Sequence, residues 1–455
     1  MIKKIIRNIN LDKINEIKSI SFVKDVSILQ VGSMAGTLLS ALTSVVFARV
    51  LGPALYGTYS LIFAFAGLAG LFMSWGSSYG GLTLFVEAYA RKDKIKIMEV
   101  IVYFFRISLI AAIIVSLLSM FLAAPITKII YGNAHIGNLA RWIILLSIIE
   151  VFYSLIIIIL QGIRKIKYLT ILENINKFLS ALIPITFVLM GMGLAGIVLG
   201  QVITAIIFFI FSISLYVIFS NRNKLFPQPK DIIINFFKVK IKKYFTFGFS
   251  IAIDKNIAGL CTLLPTIIAG SFITTNEIAF FKVAVGLTTM SLIILSPVSR
   301  LLNVQFPKSK TQGISQLRKI FYRTTKWSLL ISVLIAICLI IFSKFVIILF
   351  YGKEFAFSAH LVYLMSLLAA ISGIGVVLGP IYRTLNKMKI TIILNTILVL
   401  IGLPIFYLII KNYGIWGLTI SYIAWQGLSN VLGFFIIARI IDKLNDEEIT
   451  KSSLV

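Results

Sequence analysis

The second half of this chain repeats the first half. When the sequence is shifted by about 221 residues, apolar segments fall on apolar segments and turns fall on turns. Tyr131-Gly132 then meets Tyr351-Gly352, and Gly193 meets Gly414. In a membrane protein, two like halves leave a seam between them, and transporters place their substrate paths at such seams. The repeat therefore indicates transport before any single residue does.

Hydropathy predicts an all-α integral membrane protein. The chain is 59% hydrophobic with a mean hydropathy of +1.02, which no ordinary soluble domain reaches. About twelve apolar runs are long enough to span a bilayer. They centre near 25–49, 57–78, 98–122, 139–160, 168–190, 193–219, 244–269, 276–300, 324–349, 358–380, 389–410 and 414–439. We expect about twelve transmembrane helices in two six-helix lobes.

The positive charge is placed on alternate loops. With the N-terminus inside the cell, the inside loops hold about 33 of the 43 Lys and Arg, while the outside turns hold only a handful. One of these inside clusters is 300–326. The net charge of +27 is thus explained by basic loops facing an anionic leaflet, and no nucleic-acid partner is expected. The alternation predicts a multi-pass protein of the cell membrane with both termini cytoplasmic.

Three domains follow from these patterns. An N-terminal lobe covers 1–220 and begins with a predicted amphipathic segment, 1–22, in which Ile2, Ile5, Ile6 and Ile9 share one face. A basic cytoplasmic linker covers 221–243, and its mixed periodicity leaves helix or extended chain open. The C-terminal lobe covers 244–455.

Motifs of enzymes and of cofactor sites are not convincing here. The stretch 191–196 matches G-x-G-x-x-G, but it lies between two apolar helices and lacks the preceding strand of a dinucleotide site. We interpret it as a tight outward turn. The sequence contains no P-loop and no H-E-x-x-H, and His135 and His360 are expected on the outer surface. We expect no enzyme activity, no catalytic residue, no metal and no cofactor.

Ionisable residues at membrane depth are the candidates for substrate contacts. A charge at mid-bilayer costs at least ~2.5–3.5 kcal/mol on insertion scales, so it usually faces the interior and is often functional. The candidates are Arg106, Glu150, Glu173, Lys177, Asp254, Lys255 and Lys282.

Two pairs among these candidates differ in geometry. Glu173 and Lys177 are four residues apart on one helix, so they can neutralise each other or can serve a cavity. Asp254 and Lys255 are adjacent and point about 100° apart, so at least one needs a partner on another helix or in a hydrated cavity. We favour the cavity, with Lys255 as a receiver of an anionic head group.

A set of short motifs resembles one transporter family along nearly the whole chain. The stretch A-R-V-L-G-P-A-L-Y-G-T-Y-S at 48–60 is similar to the end-of-first-span signature of the polysaccharide transporter family, within the MOP exporter superfamily. The loop 85–93, the two Tyr-Gly turns and Asn386-Lys-Met-Lys389 resemble further parts of that family.

The resemblance implies a Wzx-like flippase with two six-helix lobes around a cavity that opens alternately to each side. Its substrate class is an oligosaccharide linked to a polyprenyl phosphate or diphosphate, whose lipid tail stays in the bilayer. The implied partners are this lipid-linked glycan, membrane lipids and glycan-assembly enzymes. The family offers no invariant catalytic motif to transfer, so the candidate sites depend on the charges above.

Two other functions stay open at this point. An ion-coupled exporter of small cationic compounds, as in the related multidrug branch, would use acidic cavity residues such as Asp254 or Glu150. A membrane-embedded glycan polymerase is a weaker alternative, because the chain offers neither a large extramembrane loop nor an acidic metal motif. The basic cytoplasmic bias and the Leu51-Gly-Pro53 signature favour the polysaccharide branch.

Overall fold

The computed structural model describes residues 21–73 and 75–453, and helices make up nearly all of them, with no β-strand in these ranges. The predicted amphipathic segment 1–22 lies outside the described residues except for its last two. The α-helices are α1 (Ser21–Met73), α2 (Ser77–Ala90), α3 (Lys94–Tyr131), α4 (Ala134–Gly162), α5 (Ile166–Phe187), α6 (Gly193–Arg222), α7 (Pro229–Asn235), α8 (Lys242–Ala269), α9 (Thr275–Ser291), α10 (Ser296–Thr311), α11 (Ile314–Tyr351), α12 (Ser358–Thr384) and α13 (Met388–Ser453).

These helices supply about twelve membrane segments within the described ranges. Eight helical runs are long and apolar enough to cross a bilayer. Three of the runs are sharply broken, α1 at Gly52, the run 166–222 at Gly191 and Gly193, and α13 at Gly414. A shorter apolar helix, Asn256–Ala269, completes the set. The sequence prediction of an all-α membrane protein with about twelve transmembrane helices is confirmed.

Glycines make the breaks because the backbone there enters the left-handed region. Gly52 has φ +71° and Gly414 has φ +56°, values that residues with a side chain rarely adopt. Pro53 follows Gly52 directly and starts the next segment without needing an amide hydrogen. The chain likewise turns between α5 and α6 at Gly191, with φ +85°, and at Gly193, with φ +53°, and residues 193–196 begin α6. This matches the sequence interpretation and leaves no strand for a dinucleotide site.

A capping box begins α9, as the spacing of Thr274 and Glu277 predicts. The amide of Glu277 donates to Thr274 Oγ1 at 3.3 Å, and the amide of Thr274 donates to Glu277 Oε2 at 2.9 Å. Two otherwise unpaired donors at the helix start are thus satisfied. The break at Gly52 and the cap at Thr274 are different solutions at equivalent positions of the two halves.

The helices form two groups that are joined by the linker. Helices α1–α6 pack mainly among themselves, as do helices α10–α13, whereas α8 and α9 of the second group also pack extensively against α1 and α2 of the first. We call the end of the bundle that carries the linker the linker end, and the opposite end, with the turns at Gly52 and Gly414, the far end. The predicted lobe boundaries at 220 and 244 stay a prediction, although the linker lies between the two groups.

The two groups are packed together at the far end. One buried apolar cluster there contains residues of both groups, among them Phe47 and Tyr56 from α1, Phe281 from α9, and Phe355. The rings of Tyr56 and Phe355 are 6.1 Å apart and meet edge to face. The guanidinium of Arg49 donates to the carbonyl of Leu349 across the same boundary. The far end is therefore closed.

The linker contains one short helix and is attached to the first group. Helix α7 begins with a capping box between Gln228 and Asp231. Phe226 and Ile232 enter the buried core of the first group, and Tyr216 donates to the carbonyl of Pro227 at 2.9 Å. The question that the sequence left open is thus answered by a short helix that turns and bends flank on both sides.

Candidate functional site

A cavity of about 380 Å³ lies between the two helix groups toward the linker end. Helices α1 and α5 from the first group and α10 from the second group form its walls. Three charged side chains line it, Glu173 and Lys177 from α5 and Arg300 from α10. We call it the linker-end cavity. Two of its charged residues are sequence candidates, and the third is not.

Small residues on α1 bring α5 close to it. A Cβ atom at Gly32 would lie 2.9 Å from Asn174 Nδ2, and one at Gly36 would lie 2.6 Å from Lys177 Cδ. The Lys177 side chain therefore runs along the surface of α1 that glycine leaves free. Since α1 and α5 belong to the same group, the structure places this glycine face in packing within the group.

Arg300 and Asn303 are the residues that sequence analysis missed. The sequence assigned 300–326 to an inside loop, but the helix continues through α10 to Thr311, and only Gln312 and Gly313 separate it from α11. Hydropathy marks only the apolar part of a helix, so a polar continuation of the same helix resembles a loop. The spacing of three residues, which places Arg300 and Asn303 on one face, was the available signal.

The linker-end cavity carries an excess of positive charge. Lys177 and Arg300 supply two cations, and Glu173 supplies one carboxylate. In the described part of the chain, neither cation lies within ion-pair distance of a carboxylate, and Glu173 and Lys177 are near enough to attract each other without forming a close pair. Asn174, Asn303 and Ser33 add uncharged polar groups to the walls. An anion in this cavity can therefore contact a cation on each of the two helix groups.

Arg106 has a different environment from the one that the sequence suggested. Its side chain is 9% exposed, and its guanidinium donates to the carbonyls of Phe237 and Val239 in the linker. Arg106 thus fastens the linker to α3 and does not line the linker-end cavity.

Glu150 lines another cavity, inside the first group. This first-half pocket has a volume of about 300 Å³ between α4, α5 and α6, and its walls include Tyr153, Asn176 and Gln201. The Gln201 amide donates to the carbonyl of Ser180 at 3.2 Å. Glu150 is therefore kept apart from Lys177 and Arg300 by the packing of the first group.

Among the described side chains, that of Lys282 does not line the linker-end cavity. Lys282 lies half-buried in α9, within two turns of its capped start at the far end. Asp254 and Lys255 fall inside α8, but their side chains lie outside the described part of the chain. A role of Lys255 in receiving an anionic head group therefore stays a prediction.

The histidines and cysteines form no metal site in the part of the chain that the structure covers. His135 and His360 are exposed beyond the Tyr-Gly turns of the far end. Cys261 is buried and Cys338 is exposed, and both are free thiols.

About twelve membrane segments in two packed groups, with a charged cavity between the groups, are typical of a membrane transporter. The family model described as polysaccharide biosynthesis protein matches residues 22–307, and the MatE model matches residues 311–408. The first match covers more than half of the chain. The protein belongs to this polysaccharide biosynthesis family, a transporter family of the MOP superfamily.

Solved structures of other MOP transporters share the fold. An inward-facing multidrug resistance MATE transporter has 16% identity and a TM-score of 0.70, covering 90% of this chain and 96% of its own. An outward-facing structure of such a transporter has 16% identity, a TM-score of 0.62, and coverage of 92% and 96%. A MOP transporter from Pyrococcus furiosus, whose binding pocket is described as having reverse polarity, has 16% identity, a TM-score of 0.59 and the same coverage. No protein with a curated description matches the sequence.

Proposed function

We propose that this protein moves a lipid-linked glycan precursor with an anionic head group across the cell membrane by alternating access. The observation that carries the proposal is the position of Lys177 and Arg300. They face one cavity from opposite helix groups, and neither has an ion-pair partner among the described residues. Glycan-assembly enzymes that make or consume the precursor are the partners this function implies.

A phosphate or diphosphate fits these two cations chemically. Charge-assisted hydrogen bonds to phosphate oxygens are short and about twice as strong as neutral ones, and the guanidinium of Arg300 can bind two oxygens at once. Inside a membrane protein such attraction is weakly screened. Because Lys177 and Arg300 belong to different groups, a bound anion would hold the groups together, and its release would free them to move.

Alternating access is supported by the difference between the two ends. At the far end the groups meet in one buried cluster. At the linker end α8 packs against α2 and α3, with Tyr244 donating to Glu99 at 2.6 Å, but the linker-end cavity separates α1 and α5 from α10. The basic clusters at the linker end are typical of cytoplasmic loops. This arrangement suits a state that loads its substrate from the cytoplasm, with the exit on the other side still shut.

Export of a small cationic compound is the second candidate, favoured by Glu173 in the cavity and by Glu150 in the first-half pocket. A cationic substrate needs an excess of carboxylates where it binds. The linker-end cavity has the opposite balance, two cations against one carboxylate. We therefore prefer the anionic substrate.

Binding of undecaprenyl diphosphate in nanodiscs tests the proposal. We expect Arg300→Gln and Lys177→Gln each to weaken binding on the order of tenfold to a hundredfold, since a hydrogen bond to a charged group contributes about 1.5–3 kcal/mol. Arg323→Gln is the matched control, because Arg323 is exposed on α11 and lies outside the cavity.

Ethidium serves as the cationic probe in the same assay. Unchanged binding of undecaprenyl diphosphate in both cavity variants, together with ethidium binding that is lost in Glu173→Gln, would overturn the proposal and establish the cation exporter.

A further inference from the structure

A second polar cavity lies inside the C-terminal helix group, near the linker end. This second-half pocket has a volume of about 220 Å³ between α8, α12 and the two segments of α13. Two asparagines, Asn395 and Asn430, line it together with Ser429 and Arg383. Its mouth is formed by small residues, since Ala258 and Gly379 are exposed at its edge.

The polar groups of the second-half pocket are only partly used by the protein. Ser429 Oγ donates to Asn395 Oδ1 at 2.9 Å, which leaves the amide hydrogens of Asn395 for another acceptor. Asn430 lies against Gly375, where a Cβ would be 2.5 Å from its Oδ1, and it makes no hydrogen bond with the described residues. Asn430 is half-buried, so a polar ligand or water that enters the pocket can satisfy its amide.

The internal repeat shows that the fold does not require these polar residues. With Gly193 matched to Gly414, a shift of 221 places Phe208 and Phe209 of α6 opposite Ser429 and Asn430 of α13. Both phenylalanines pack against aromatic rings of the first group, Phe208 against Tyr153 and Phe209 against Phe152. The first half thus has apolar side chains at these two positions, with Phe208 in the wall of the first-half pocket, whereas the second half has the polar Ser429 and Asn430 there.

The second-half pocket adjoins the linker-end cavity through one hydrogen bond. Arg383 lines the pocket, and its Nη1 donates to Asn303 Oδ1 at 3.2 Å. Asn303 in turn lines the linker-end cavity one helical turn from Arg300. A ligand whose anionic part contacts Arg300 can therefore extend into the pocket past Asn303.

We propose that the second-half pocket binds one sugar ring of the glycan next to the phosphate. The Asn430 amide offers a donor and an acceptor side by side, and Asn395 offers its amide hydrogens, which matches neighbouring hydroxyls on a pyranose ring. A Cβ built at Gly379 would meet no atom within 4 Å, so the mouth leaves room for the ring to enter. This inference rests on the proposed function, because the phosphate at Arg300 sets the direction of the sugar.

Competition between two lipids separates the sugar pocket from the phosphate site. Nanodiscs are loaded with equal amounts of undecaprenyl diphosphate and undecaprenyl diphospho-N-acetylglucosamine, and native mass spectrometry measures which lipid stays bound. We expect the wild-type protein to prefer the glycosylated lipid on the order of tenfold, the effect of one to two hydrogen bonds. Asn430→Leu should reduce this preference to near unity while binding of undecaprenyl diphosphate stays unchanged.

Phe209→Leu is the matched control, because it changes the equivalent position of the first half and should keep the preference. Thermal unfolding of both variants checks that they fold. If Asn430→Leu does not fold, Asn395→Leu is the second test variant. A wild-type preference that persists in the folded asparagine variant, or no wild-type preference, overturns the sugar pocket. If the wild-type protein retains neither lipid above phosphatidylglycerol, the proposed function itself fails.

Discussion

The backbone of Gly57 in α1 lies directly against the carbonyl group of Thr275 at the start of α9. A Cβ atom at Gly57 would overlap the carbonyl oxygen and carbon of Thr275. The neighbour is backbone at a capped helix start, so it cannot rotate away as a flexible side chain can. The absence of a side chain at this one position thus lets the two helix groups close at the far end.

Gly57→Ala should open the far end. We expect a cost to the closed arrangement of about 1–3 kcal/mol, typical of an added methyl group in a packed contact. Spin labels at Lys128 and Lys344, both exposed toward the far end, should report a larger fraction of long distances. Gly70→Ala in the same helix is the control, because a Cβ there would meet nothing within 4 Å. Identical distance distributions in the two variants would contradict this role of Gly57.

Arg106→Gln should loosen the linker rather than remove a substrate contact. The variant loses the charged donor to the carbonyls of Phe237 and Val239, which corresponds to about 1.5–3 kcal/mol of stability. Trypsin should cut faster at Lys238 and Lys240, and the thermal midpoint should fall. Arg91→Gln is the control, because its ion pair with Glu87 is exposed and contributes little. Reduced lipid binding with unchanged proteolysis would instead favour the sequence assignment of Arg106 to the substrate path.

Glu448→Gln should weaken the start of α11. The carboxylate of Glu448 accepts hydrogen bonds from the amides of Ile314 at 2.7 Å and Ser315 at 3.2 Å, so the C-terminal helix caps a helix that begins 134 residues earlier in the chain. Loss of a charged cap costs about 1 kcal/mol, and hydrogen exchange at these two amides should quicken about fivefold. The neighbouring exposed Glu447→Gln should leave exchange unchanged, and equal exchange in both variants would exclude the cap.

Cysteine labelling should place the linker end in the cytoplasm. In a variant with Cys261 and Cys338 replaced by alanine, a cysteine at the exposed Lys240 should resist membrane-impermeant maleimide in intact cells, whereas one at the exposed Lys353 should react. The physical reason is the retention of positively charged loops on the cytoplasmic side. Labelling of the Lys240 position from outside would invert the proposed direction of loading.

Hydropathy and turn chemistry were sufficient to predict the helices. A bilayer offers no hydrogen-bond partners, so each crossing must be a continuous helix of apolar residues, and such runs are visible without any tertiary contact. The turns at Gly52 and Gly414 and the capping box at Thr274 are equally local, because they depend on backbone angles and on partners three residues away. The internal repeat then indicated two similar halves.

Local sequence rules could not predict which charged side chains share a cavity. Lys177 and Arg300 are far apart in the sequence, and they share a cavity only because α5 and α10 flank the same gap. By its predicted depth in the membrane, Arg106 was an equally good candidate for a substrate contact. In the structure it instead donates to backbone carbonyls of the linker. The free energy of transferring a charged side chain into lipid predicts that the side chain faces the protein interior. It does not predict which cavity or which partner the side chain contacts there.

The sequence by itself determined the number of membrane segments, their breaks and the transporter family to which they belong. The tertiary structure alone decided that the far end is closed, that Arg300 and Asn303 line the linker-end cavity, and that Asn430 lies in a polar pocket where the first half has Phe209. The reason is physical: helix formation in lipid is fixed by neighbouring residues, whereas the direction of each helix face is set by packing against helices distant in the chain.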